Sequence, residues 1–162
     1  MIQYVSGDIL LSKAAAIAHG VAPGDHFGSG LALALRENWP AMVKDFRHHC
    51  QTSHPAPGDI FAWKGADNRL VLNLMTQEAA YGQGEKPGRA KIEYVGHALK
   101  ALAKLVKAEG VASLALPRLA TGVGGLDWDD VKPLVERHLG DLNIPVYVYA
   151  VFHKGQSAAE AA

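Results

Sequence analysis

The run Ser113-Leu114-Ala115-Leu116-Pro117-Arg118-Leu119-Ala120-Thr121-Gly122-Val123-Gly124-Gly125 decides how the rest of the chain is read. Ser113 to Leu116 is an apolar strand stopped by Pro117, and the glycine-rich loop behind it leads into a helix predicted from about Asp129 to Leu139. Pro133 fits that helix if Asp129 or Asp130 is its N-cap, because N–H groups of the first turn have no intrahelical partner. A second stretch has the same setting. Pro23-Gly24-Asp25-His26-Phe27-Gly28-Ser29-Gly30 follows an apolar run, Ala14 to His19, that stops at Gly20, and it precedes the strong helix formers of Gly30 to Asn38.

In open α/β sheets, strand-to-helix loops gather at the carboxyl ends of parallel strands, so these two loops are expected to face one ligand. Glycine admits an anion close to backbone N–H groups, and each helix start adds partly positive orphan donors. Two such loops can cradle a pyrophosphate; the plainer reading is that the glycines only make tight turns. No GxxxxGK[ST] segment is present, which disfavours a Walker-type nucleotidase.

Outward from the loops, Ile2 to Val5 is a short strand closed by Ser6-Gly7-Asp8. Pro40 to Gln51 is a second helical piece, broken from the first near Trp39-Pro40. Asp59 to Lys64 and Leu70 to Met75 form a hairpin turned at Gly65-Ala66-Asp67-Asn68. Leu70 to Leu74 is apolar on both faces except at Asn73, the pattern of a doubly covered strand. Ile92 to Glu109 carries Val95, Leu99, Leu102, Leu105 and Val106 at helical spacing, with Gly110 as C-cap. Pro145 to Phe152 is the last strand. The resulting order β β α α β β α β α β predicts an α/β fold, a mixed sheet with helices on both faces. Residues 1–154 are expected to form one domain, and the small, polar 155–162 a flexible, undocked tail.

With 162 residues and 49% hydrophobic content, one domain can bury about two-thirds of its unfolded surface. Lys plus Arg (16) balance Asp plus Glu (16), so no overall positive field favours nucleic acid, and no direct nucleic-acid affinity is expected. The single Cys50, the lack of an apolar run of about 18 residues and the lack of a signal-peptide pattern predict a cytoplasmic protein without a membrane partner. A monomer is expected. His48, His49, Cys50 and His54 contain metal-ligand residue types, but neighbouring helical residues diverge and Pro55 takes His54 out of helical geometry, so no metal is assigned.

Tyr4-Val5-Ser6-Gly7-Asp8-Ile9-Leu10, Ile17-Ala18-His19, Phe27-Gly28-Ser29-Gly30-Leu31-Ala32 and Leu116-Pro117-Arg118-Leu119-Ala120-Thr121-Gly122 together resemble the macrodomain family. Within it the chain looks most like the branch of the terminal ADP-ribose glycohydrolases and ADP-ribose-1″-phosphate phosphatases. The resemblance implies a three-layer α/β/α macrodomain with a mixed, mostly parallel six-stranded sheet. It also implies a site for ADP-ribose or an ADP-ribosylated protein, with no cofactor. Asp8 matches the acid that accepts from the adenine amino group, and Ile9 its backbone-donating neighbour. Gly28, Ser29 and Gly30 match the loop around the distal ribose and phosphates, Thr121, Gly122, Val123, Gly124 and Gly125 the second phosphate loop, and Phe152 an aromatic against the adenine.

The same resemblance narrows the chemistry. The glycohydrolases' Lys after the fourth strand is Gln77 here, and their loop Asp falls at Gly124. The first-loop acid of mono-ADP-ribosyl hydrolases is missing from Leu31-Ala32-Leu33-Ala34. His19 occupies the position of the phosphatases' histidine, although the Asn that normally follows is replaced at about Ala22. The catalytic candidates are therefore His19, Asp25 and His26, with Gln77 positioning substrate or water, Glu78 a base if it points inward, and Lys86 or Arg89 offering phosphate contacts from the loop 81–91. The leading expectation is a hydrolase removing ADP-ribose from a modified, acidic side chain. The alternatives are an ADP-ribose-1″-phosphate phosphatase and a non-catalytic ADP-ribose reader.

Overall fold

The computed structural model describes residues 1–80 and 87–161. Among them, strands β1 (Ile2–Gly7), β2 (Ala16–Val21), β3 (Ile60–Lys64), β4 (Leu70–Met75), β5 (Leu114–Pro117) and β6 (Val146–Phe152) form one sheet in the order β1-β6-β5-β2-β4-β3. Every neighbouring pair is parallel except the β3–β4 hairpin. Helices α1 (Gly30–Asn38) and α2 (Pro40–Ser53) pack on one face, α3 (Ile92–Glu109) and α4 (Trp128–Leu139) on the other. This is the three-layer arrangement expected.

β4 shows why its sequence is apolar on both sides. Val71 and Met75 pack with Leu35, Met42 and Phe46 under α1 and α2, whereas Leu72 and Leu74 join Val95, Leu99 and Leu102 under α3. Side chains alternate across a strand, so both helical layers claim a set. The α3 stripe is buried as its spacing requires, and Gly110, at φ +62°, returns its N–H to the Val106 carbonyl. Trp39 separates α1 from α2, and Pro40 opens the second helix where a missing N–H is harmless.

Three expectations are corrected. β2 begins at Ala16 and runs through Gly20 to Val21, so Gly20 does not stop it; a Cβ there would come within 2.7 Å of Thr76 Oγ1, which explains the glycine inside the strand. α4 is capped at Asp127, which puts Pro133 at its sixth residue, beyond the first turn. The missing N–H leaves the Asp129 carbonyl without its helical donor, and exposed Asp129 can use water instead.

The third correction concerns the tail. Residues 155–161 fold back along β1 and the turn after it: the Asp8 N–H donates to the Gln156 carbonyl (2.7 Å), Gln3 Nε2 to Ala161 O (2.9 Å) and the Tyr147 hydroxyl to Ala161 O (2.8 Å). Ala158 packs against the cluster of Ile9, Tyr147 and Tyr149. No helix among the described residues is long and apolar enough to cross a membrane.

Candidate functional site

β2 and β5 lie side by side, and the chain leaves their carboxyl ends toward opposite faces, to α1 from β2 and to α4 from β5. Such a switch point opens a crevice. Here it is a cleft of about 830 Å³ lined from both loops: His26, Gly28, Ser29 and Gly30 on one side, Thr121, Gly122, Val123 and Gly124 on the other. Gly125 alone of the second loop's candidates lies outside it.

Each loop is held by a non-glycine residue in the left-handed region, Phe27 at φ +56° and Ala120 at φ +63°. That conformation costs about 1–2 kcal/mol and persists only where surrounding contacts impose it. For Phe27 they are plain. Its ring is fully buried, 5.1 Å from Phe46 and 5.7 Å from His19, and its N–H donates to Asp25 Oδ1 (2.8 Å). Asp25 Oδ2 accepts from Ala22 N (2.9 Å), so both carboxylate oxygens shape the loop, and the side chain is buried where it borders the cleft. His26 is exposed at the cleft wall.

In the second loop, Thr121 Oγ1 donates to Arg118 O (2.8 Å), and the Leu126 N–H closes the turn on Ala120 O (3.1 Å). The Gly124 carbonyl accepts from Ala90 N (2.9 Å), and a Cβ on Gly125 would come within 3.0 Å of the Arg89 guanidinium. Arg89 therefore supports the loop from outside the cleft and does not line it. Lys86 lies outside the described residues.

His19 is buried at the cleft floor, and its Nε2 lies 2.6 Å from Asn73 Oδ1. Asn73 donates through Nδ2 to Phe61 O (3.1 Å), which fixes Oδ1 as its acceptor. His19 Nε2 then carries the proton and Nδ1 is left as an acceptor. Burial lowers the His19 pKa to about 4, against smaller opposing effects of the Asn73 bond and the Asp25 charge. At neutral pH this imidazole is uncharged: Nδ1 can accept a hydrogen bond, and the one ring proton, on Nε2, is held by Asn73.

Gln77 lines the cleft, its Nε2 donating to Gly88 O (2.9 Å). Glu78 does not point inward: its Oε1 pairs with Lys91 Nζ (2.8 Å) and accepts from the Tyr94 hydroxyl (3.0 Å), and these two bonds hold its carboxyl below the usual range. At the far end Phe152 is 66% exposed and lines the cleft. Asp8 and Ile9 do not line it; both are buried, and Asp8 Oδ2 accepts from Gly155 N (3.0 Å). The histidine and cysteine run of α2 is also accounted for in part, since His49 stacks on Phe61 at 4.7 Å and Cys50 Sγ accepts from Gly24 N.

Sequence reasoning missed Arg118, Tyr149 and Ala150 among the lining residues, and Asn73 as the partner of His19. Asn73 carried a usable signal, a lone amide in an apolar strand. Tyr149 carried none, because an alternating Val and Tyr strand does not reveal which end opens into a crevice.

Residues 15–135 match the family model described as Macro domain. The chain is 30% identical to a Thermus aquaticus DNA ADP-ribosyl glycohydrolase over 92% of its own length and 41% of that protein. It is 25% identical to the human ADP-ribose glycohydrolase OARD1, covering 93% of this chain and 91% of the human one. The macrodomain of Thermus aquaticus DarG superposes with a TM-score of 0.82 at 28% identity, over 93% of this chain and 98% of that one. The chain spans about two-fifths of the length of the bacterial relatives it matches.

Proposed function

Because the chain belongs to the macro domain family, we propose that it binds ADP-ribose in the β2–β5 cleft and hydrolyses it from modified acidic side chains. One observation carries the binding half. Gly28 and Gly122 face each other across the cleft with no left-handed φ, and a Cβ on either would meet nothing within 4 Å. Neither the turn nor the packing requires glycine there, whereas a diphosphate approaching backbone N–H groups does.

The linkage is inferred from three described residues of the cleft. Its buried imidazole is neutral, Asp25 is occupied by two backbone N–H groups, and Gln77 stands where the resemblance puts a lysine. Among the described residues, none of these three groups is placed to protonate a leaving group, which suits an ester to a carboxylate, one that departs at neutral pH without protonation. Water adds at the distal C1″ carbon as the C1″–O bond to the carboxylate breaks; the carboxylate leaves with the bonding pair, and the proton of the attacking water passes to solvent. His26, exposed on the cleft wall, is assigned to orient that water, and His19 and Gln77 to hold the distal ribose. Cys50, buried and the chain's single cysteine, supports a reducing, cytoplasmic setting.

Incubating the protein with a Glu-linked ADP-ribosylated peptide and, separately, with ADP-ribosylated DNA tests this reading. Release from the peptide, slowed about tenfold to a hundredfold by His26→Ala, is expected. Tight ADP-ribose binding with no release from either substrate makes the chain a reader. Release from DNA alone moves it to the carrier named in the Thermus aquaticus relative.

A further inference from the structure

The segment 153–161 reaches Asp8, the carboxylate that the resemblance to the macrodomain family matches to the adenine amino group. Asp8 Oδ1 accepts from Leu10 N (3.0 Å) within its own turn, and Oδ2 accepts from Gly155 N (3.0 Å). Backbone bonds from Asp8 N to Gln156 O (2.7 Å) and from His153 N to Gly7 O (3.0 Å) seat the segment across the turn. It lies so close that a Cβ on Gly7 would come within 2.8 Å of both Gln156 O and Ala158 N. Asp8 is left 7% exposed, while Phe152, the aromatic meant for the same base, is 66% exposed in the cleft.

The cover is fastened at one further point. Glu160 Oε2 accepts from the Ser12 and Tyr149 hydroxyls (2.5 Å each), and its Oε1 from Lys13 N (3.0 Å). Between Gly155 and Glu160 only Ala158 packs into the apolar core, and Gly155 to Ser157 are exposed. Polar contacts of this kind contribute little net stability each, because water replaces them when they open.

We propose that residues 155–161 form an intramolecular gate over Asp8, latched by Glu160, which must open for the adenine edge to reach the carboxylate. The gate rests on the proposed binding of ADP-ribose and on the match of Asp8 to its base that the family resemblance implies. A binding-competent state populated only in part weakens the apparent affinity by that fraction, so loosening the latch tightens binding. The gain belongs to ligands with a base. A sugar phosphate uses the glycine loops alone and gains nothing.

Calorimetric titration of the full chain with ADP-ribose and with ribose 5-phosphate, in wild type and Glu160→Ala, is the test. ADP-ribose is expected to bind the variant about tenfold more tightly, with ribose 5-phosphate unchanged within about twofold. In the wild type, saturating ADP-ribose should also speed hydrogen exchange at the Gly155 amide. A chain ending at Lys154 should reproduce the gain, and Glu160→Ala carries the test if that chain does not fold. ADP-ribose affinity that is unchanged or weaker in Glu160→Ala, or a Gly155 amide that stays protected in the complex, overturns the gate while leaving the proposed function intact. Failure of ADP-ribose to bind either protein overturns both.

Discussion

Gly122→Val is expected to weaken ADP-ribose binding by about a hundredfold while moving the melting temperature by no more than about 3 °C. Nothing lies within 4 Å of a Cβ at Gly122, and its backbone has no left-handed φ, so the added side chain meets no protein atom. It enters the space from which a phosphate approaches the loop. A hundredfold loss is about 2.7 kcal/mol, the size of one or two charge-assisted hydrogen bonds.

Gly124, two residues on, is the control. A Cβ there would come within 2.7 Å of the Ala120 carbonyl oxygen and 2.9 Å of Ala90 Cβ, so Gly124→Val must distort the loop and lower stability together with binding. Thermal melts and calorimetry on the pair separate the two kinds of glycine. Equal loss of stability in both variants, or unaltered binding in Gly122→Val, contradicts the assignment of Gly122 to the ligand.

The second large effect is on stability in acid. His19 ordinarily titrates near 6.5, and burial lowers it to about 4 in the folded protein. Between those values the unfolded chain binds a proton that the folded one refuses, so stability rises with pH across the window and is lost as pH falls through it. At pH 4.5 the loss from this one group is about 2.5 kcal/mol. Urea unfolding at pH 7 and pH 4.5 should show a wild-type drop larger by about that amount than the drop in His19→Gln. Equal drops in the two proteins contradict a histidine held neutral by burial.

The parts of the fold that could be read from the sequence are those set by local repetition. The α3 stripe from Val95 to Val106, the Gly110 cap and the doubly apolar β4 each follow from spacing that the chain displays. The two glycine loops were legible for a related reason: strand, glycine run and helix occur twice, and parallel strands bring such loops together. Pro133 was misplaced because several acids, Asp127, Asp129 and Asp130, can each cap a helix, and composition does not choose among them.

What could not be read depends on where side chains point and on contacts between distant segments. Asp25 follows a strand in a polar loop, a setting that serves equally for catalysis and for an Asx-type turn; only its bonds to Ala22 N and Phe27 N decide. Glu78 faces Lys91 and Tyr94 for reasons invisible thirteen or more residues away in sequence. Residues 155–161 look like a loose tail because their docking uses backbone groups, a single carboxylate and one small apolar side chain, Ala158, which together leave no hydrophobic pattern to read.

The central claim is that one diphosphate lies between the two glycine loops. A crystal structure of the protein with ADP-ribose at saturation measures this directly. The account predicts diphosphate oxygens within about 3.2 Å of backbone N–H groups from both Gly28–Gly30 and Thr121–Gly124. A diphosphate bound to one loop alone, or outside the β2–β5 cleft, would contradict it.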